Sequence, residues 1–172
     1  MKTIPQAWID VLSKVQTVSP LAKIAGGALR DLFNDRPVKD VDIFIPYNPI
    51  IDFELGGLFC ELTKVFEQCD EYAGVELLYI YESTIDGVLY NFIVCTEEHC
   101  DINNFDINIC QISYDGNVLE TTLNYVYGIG GEIIKIINVN SLDENKERVK
   151  RIHKKYPEFK IEEHDDEEQI WD

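Results

Sequence analysis

Basic residues are what this 172-residue chain has little of: 15 Lys and Arg stand against 32 Asp and Glu, a formal net charge of −17. Broad, sequence-independent nucleic-acid binding runs on cations that neutralise phosphates, so that class is disfavoured for the surface as a whole, though not for a local basic face. Long apolar runs are also missing, and none approaches the ~18 residues of a membrane span. The start, M-K-T-I-P-Q-A-W-I-D, is broken by Pro5 and charged at Asp10, which is not a secretory signal pattern. These absences set a cytoplasmic protein without membrane contact as the expectation. The five cysteines (Cys60, Cys69, Cys95, Cys100, Cys110) are odd in number and include no C-x-x-C pair. Cys95, His99 and Cys100 lack a fourth ligand, so reduced, buried thiols are favoured over a soft-metal site. No internal repeat and no long flexible linker interrupt the chain.

What is present centres on residues 24–45, I-A-G-G-A-L-R-D-L-F-N-D-R-P-V-K-D-V-D-I-F-I. An apolar run, Leu21 to Ala25, enters Gly26-Gly27. A short amphipathic stretch with Arg30 and Asp31 follows, and then Asp40 and Asp42 alternate with Val41 and Ile43. On a strand, residues i and i+2 face one side, so the two carboxylates project together while their neighbours enter the core. A carboxylate pair suits a hard cation such as Mg²⁺, which is held by one or two carboxylates plus substrate phosphates. Glycine permits a sharp turn and close backbone approach. A helix starting at Ala28 would turn its free N–H groups and positive dipole end toward a phosphate chain. Arg30 adds a guanidinium fork for phosphate oxygens. Alone, Gly-Gly is also a plain tight turn and Asp-x-Asp also a solvated strand face; together and in this order they point to a nucleoside triphosphate site.

At these residues the chain resembles the DNA polymerase β-like nucleotidyltransferases, and most closely the head domain of CCA-adding enzymes and bacterial poly(A) polymerases. The shared pattern is Gly26-Gly27-Ala28-Leu29-Arg30-Asp31, a short loop, then Asp40-Val41-Asp42 on a strand. The resemblance implies an α+β fold, a mixed β-sheet packed against helices of the polymerase β palm type. It also implies transfer of a nucleoside monophosphate from an NTP to a hydroxyl, with Mg²⁺ or Mn²⁺ held by Asp40 and Asp42 and nucleotide contacts from Gly26, Gly27, Arg30 and Asn91. Members of the family present a third acid on a neighbouring strand, and here that position reads Asn91, within Leu89 to Val94. Phe105-Asp106-Ile107-Asn108 faintly resembles a signature of the CCA-adding class, with Asn103 and Asn104 in place of its charged residues. Asp106 is the candidate third catalytic carboxylate, a turn cap being the alternative. Nothing after the head resembles the tRNA-handling domains of the full-length enzymes, and the acceptor is left open among an RNA end, a protein hydroxyl and a small molecule. The rival expectation is a lapsed, nucleotidyltransferase-like binding protein whose acidic surface docks a basic protein partner.

For the remainder, Pro5 with Ala7, Trp8, Val11, Leu12 and Val15 predicts an amphipathic first helix. Residues 50–69 read as helical from Ile51, Leu55, Leu58, Leu62, Val65 and Phe66, with Gly56-Gly57 weakening the pattern. Val75 to Tyr81 and Val88 to Thr96 flank Asp86-Gly87 as a hairpin, and Ile107 to Tyr114 and Val118 to Thr121 flank Asp115-Gly116. Asp101 to Phe105 is expected as a short turn or helix. Gly128, Gly130 and Gly131 predict a turn before a strand over Glu132 to Val139. Ser141 with Glu144 reads as a capping box opening a helix with Lys146, Arg148, Lys150, Arg151, Lys154 and Lys155. That basic helix is either a solvated face or one wall of the phosphate cleft. A single domain over 1–160 with an acidic tail over 161–172 is expected.

Overall fold

The computed structural model describes residues 2–67, 77–139 and 142–162, with side chains undescribed at 142 and 143. Helix α1 (Gln6–Gln16) starts after Pro5 and buries Trp8, Val11, Leu12 and Val15, the i, i+3, i+4, i+7 stripe of an amphipathic helix. Strand β1 (Lys23–Ala25) leads through Gly26 into α2 (Gly27–Phe33), and β2 (Asp40–Pro46) follows. Then come α3 (Ile51–Leu58), β3 (Thr63–Glu67), β4 (Leu77–Ile85), β5 (Val88–Cys95) and the short α4 (Glu97–Cys100). The remaining elements are β6 (Ile112–Tyr114), β7 (Leu119–Thr121), α5 (Leu123–Gly131), β8 (Ile133–Lys135), α6 (Leu142–Lys155) and β9 (Lys160–Glu162).

Seven strands form one mixed sheet in the order β3-β4-β5-β2-β1-β6-β7. Neighbours are antiparallel except β2 and β5, which run parallel with Asp42 opposite Asn91. The β4–β5 hairpin closes at Asp86-Gly87, both with positive φ (50° and 78°), the backbone of a two-residue type I′ turn. Ile85 opposite Val88 then fixes the register, which brings Glu82 opposite Asn91. The main core holds α1 and α3 with Ile24, Val41, Ile43, Ile45, Tyr90 and Phe92. A second core joins α6 and β8 through Ile134, Val149, Ile152, Tyr156 and Phe159. Among the described residues no helix is long and apolar enough to cross a membrane.

Four expected elements differ. Helix α3 stops at Leu58, and the β-prone Thr63-Lys64-Val65-Phe66 instead adds an edge strand to the sheet. Ile107 makes only a single bridge to Ile136, a 3₁₀ turn covers Asn108–Cys110, and β6 begins at Ile112. The strand expected to start at Glu132 is β8, three residues long. Gly128, Gly130 and Gly131 lie inside α5, whose N-cap Thr122 accepts a hydrogen bond from the Tyr125 N–H at 3.1 Å. Gly128 serves packing there: a Cβ would stand 2.4 Å from Asn108 Nδ2. Helix α6 matches its expected place, while Ser141 and Cys69 lie outside the described residues.

Candidate active site

A cleft of about 740 Å³ opens on the sheet face that carries Asp40, Asp42, Asn91, Ile93, Ile80, Glu82 and Val65. Its opposite side is made by Gly27, Ala28, Arg30 and Asp31 of α2, by Lys39, and by Arg148, Arg151 and Lys155 of α6. The last three recur at i, i+3 and i+7, one face of a helix. In a chain of −17, five cations thus converge on a single cleft.

The turn behind Gly27 depends on glycine. Gly26 has φ 79° and ψ −132°, a backbone that L side chains rarely adopt. Its N–H donates to Ile112 O at 2.9 Å and its carbonyl accepts from Arg30 N at 3.1 Å, so β6 and α2 both clamp it. Gly27 lines the cleft and Gly26 does not.

Asp42 is the distinctive acid. Asn91 Nδ2 donates to its Oδ1 at 2.8 Å. Burial pushes its carboxyl pKa up, the Asn91 hydrogen bond pulls it down, and the Asp40 charge pushes it up again, with a net rise. Asn91 Oδ1 is buried and has no hydrogen-bond partner among the described residues. Among the described residues, the Asp40 side chain bonds only an exposed cation, Lys39, at 3.2 Å.

Arg30 borders the cleft as expected, but its guanidinium is already engaged. Nε donates to Asp31 Oδ1 at 2.8 Å, Nη2 lies 2.7 Å from the same oxygen, and Nη1 donates to Cys110 Sγ at 3.1 Å. Burial acts to lower the Arg30 pKa, and Cys110 and Asp31 outweigh it and raise it. Asp31 also accepts from Lys155 Nζ at 2.5 Å and from the Tyr156 hydroxyl at 3.0 Å. The Tyr156 ring lies against Arg30 and Arg36, 5.3 and 5.0 Å from their guanidinium carbons. This knot ties α6 to α2.

Asp106 is not brought to the other two carboxylates. It is 5% exposed, and its Oδ2 accepts from Arg148 Nη1 at 2.7 Å and Asn145 Nδ2 at 3.1 Å. Arg148, not Asp106, reaches the cleft, and Asp106 holds it there. Glu82 and Lys39 are the cleft residues that motif matching does not reach, while Asp31 closes the matched pattern and the basic face of α6 takes the cleft-wall place that was one of its two expected ones. For Glu82 a signal existed: counting back from the Asp86-Gly87 turn pairs it with Asn91. Cys95 Sγ lies 3.0 Å from Cys100 Sγ, both buried, and no group of three His, Cys, Asp or Glu among the described residues is placed to hold a metal.

No family model matches the sequence, and no curated protein matches it either. Solved structures do. A tRNA-processing enzyme in an apo form superposes with a TM-score of 0.66 at 18% identity, over 94% of this chain and 46% of its own. The nucleotidyltransferase fold is the one this chain adopts. The Thermotoga maritima CCA-adding enzyme complexed with tRNA gives a TM-score of 0.65 at 17% identity, over 94% and 40% of the two chains. A CCA-adding enzyme in complex with ATP gives 0.66 at 15% identity, over 91% and 40%. The chain therefore spans less than half the length of these structures, and it resembles their head domain.

Proposed function

We propose that the cleft is a metal-dependent nucleotidyltransferase site, transferring a nucleoside monophosphate from an NTP to a hydroxyl acceptor. The observation that carries this reading is the convergence of Asp40, Asp42, the Gly27 turn and the cationic face of α6 on one cleft. The similarity to enzymes solved with ATP and with tRNA supports an NTP as donor and an RNA hydroxyl among the acceptors.

The residues fit a hard cation. Asp42 carries a raised pKa because its charge is buried beside a second carboxylate, and a cation would relieve both effects. Asp40 and Asp42 would hold Mg²⁺ or Mn²⁺, with triphosphate oxygens completing the ligand set. A bound metal supplies charge neutralisation at the α-phosphoryl group and the leaving pyrophosphate. Arg148, Arg151 and Lys155 sit where the triphosphate charge would lie, and fixed cations of this kind stabilise phosphoryl transfer electrostatically. Asp106 and Asp31 keep Arg148 and Lys155 aimed into the cleft. Gly27 lets the backbone approach the phosphates, and Asn91 orients the Asp42 carboxylate through its amide N–H.

The test is incubation with each labelled NTP, Mg²⁺ or Mn²⁺, and a cell extract as acceptor source. A labelled product that requires the metal is expected. No product under any combination would count against the enzyme. The rival reading, a chain that binds nucleotide without transferring it and docks a basic partner, rests on the neutral Asn91 beside Asp42. It requires NTP binding with no product.

A further inference from the structure

Across the sheet, one register row carries Asp42 on β2, Asn91 on β5 and Glu82 on β4, all lining the cleft. We infer that Glu82 is the catalytic base of the site, taking the proton of the acceptor hydroxyl. This rests on the nucleotidyltransferase reading above.

The acids that border the cleft are Asp31, Asp40, Asp42 and Glu82. Asp31 is saturated by Arg30, Lys155 and Tyr156, and Asp40 and Asp42 are committed to the metal. Asp106 is held by Arg148 and Asn145 behind the cleft. Glu82 is half-buried and makes no hydrogen bond or ion pair among the described residues. A carboxylate without a partner, facing a cleft, is available to accept a proton.

Asn91 ties the row together. Its Nδ2 faces Asp42, which turns Oδ1 away from that carboxylate, and Oδ1 is buried with no donor among the described residues. The reverse amide orientation would press two acceptors together. Oδ1 is closed to the cleft, so the amide serves to hold Asp42 in the row and leaves Glu82 as the acid that meets the acceptor. Strands are about 4.8 Å apart, so Glu82 stands about 10 Å from Asp42 along the row, with Asn91 between them. Glutamate is one methylene longer than aspartate and recovers part of that extra strand. The hydroxyl then lies against the Glu82 carboxylate, with the α-phosphorus on its Asp42 side.

The step balances. The acceptor O–H bond breaks and its proton passes to Glu82. The freed oxygen pair forms the bond to the α-phosphorus, and the bond to the bridging oxygen breaks as pyrophosphate departs with that electron pair. Glu82, now a carboxylic acid, returns its proton to solvent.

Glu82→Gln is nearly isosteric and keeps the row intact. Pyrophosphate release from each ribonucleoside triphosphate with Mn²⁺ and cell extract is measured beside NTP·Mn²⁺ affinity by calorimetry. The expected result is a kcat lower by about 10²–10⁴-fold, the usual scale of general-base loss. Affinity should stay within about twofold, because a base adds nothing to ground-state nucleotide binding. Turnover within threefold of the unsubstituted chain overturns the assignment. A parallel loss of affinity overturns it too, since Glu82 would then belong to nucleotide binding. If the unsubstituted chain binds NTP·Mn²⁺ through Asp40 and Asp42 yet releases no pyrophosphate, the enzyme reading fails and the base falls with it. That result differs from an active chain indifferent to Glu82→Gln, which removes the base and leaves the enzyme standing.

Discussion

Asp31 and Asp42 sit on opposite sides of one cleft, and their surroundings differ in kind. Asp31 has Arg30 at 2.7 Å, Lys155 at 2.5 Å and the Tyr156 hydroxyl at 3.0 Å. Asp42, half-buried, is hydrogen-bonded only by one neutral amide among the described residues, with a second carboxylate nearby and Arg148 and Lys39 acting on it only as unbonded charges. A buried charge supplied with cations belongs to the fold, where removing one partner strands the other. A desolvated charge with no cation bonded to it is a standing cost to the fold, and such costs concentrate where a ligand is meant to bind. The two aspartates therefore separate by surroundings: Asp31 holds α6 against α2, and Asp42 is the carboxylate we propose for a cation. Asp106 falls on the structural side, with Arg148 as its partner.

The largest expected effect is on the Asp42 side. Asp42→Asn or Asp40→Asn should abolish metal-dependent turnover, a loss of several kcal/mol of transition-state stabilisation. Circular dichroism should meanwhile report an intact fold. Near-normal turnover in the chain carrying both substitutions would sink the metal assignment. On the other side, Asp31→Asn should destabilise the protein by about 3–5 kcal/mol, because Arg30 is left buried and uncompensated. Urea unfolding measures this. A loss under 1 kcal/mol would show that the knot does not hold the two helices and would blur the contrast with Asp42.

A smaller effect tests the wall between the two acids. Arg151 makes no ion pair among the described residues, so Arg151→Gln removes a cation aimed at the ligand without orphaning a carboxylate. NTP affinity should fall by about 1–2 kcal/mol, the order of a charge-assisted contact. Arg148→Gln should cost affinity and stability together, since Asp106 then loses its partner. If the two variants behave alike in both measurements, the anchoring role of Asp106 is wrong.

How much of this was legible beforehand follows the range of the interactions. The helix after Pro5, the Gly26 turn and the Asp40–Asp42 strand are encoded by neighbours in sequence, and each appears where local chemistry put it. Thr63 to Glu67 became a strand because the open edge of β4 was available, which no helical period within 50–69 can reveal. Gly128 sits inside α5 because Asn108 is pressed against it, a contact between residues twenty apart. The pairing of Asp31 with Lys155 and of Asp106 with Arg148 crosses more than forty residues, so motif matching placed Arg30 and Asp106 near the chemistry and missed what neutralises them. Glu82 lay between these cases. The tight turn at Asp86-Gly87 dictates its register with Asn91, yet its meaning depends on β5 lying beside β2.

The smallest expected effect is also the cleanest reading of the contrast. The Asp42 carboxyl pKa is raised by burial, so the folded chain binds its proton more tightly than the unfolded chain does. Stability then falls as pH rises from the ordinary carboxylate range through the raised value, because the unfolded state ionises first. Above that value the full cost of the buried charge is present. Asp42→Asn removes the titration, so without metal the variant should be the more stable chain at neutral pH. The gain should be about 1.4 kcal/mol for every tenfold by which folding tightens proton binding at Asp42. Below the ordinary carboxylate range the two chains should converge. Thermal melts of both at several pH values, in chelator, measure the difference. Saturating Mn²⁺ should reverse its sign, since only the unsubstituted chain gains the ligand's binding energy. If the two melting curves keep the same separation at every pH, Asp42 is not a carboxylate held ready for a cation.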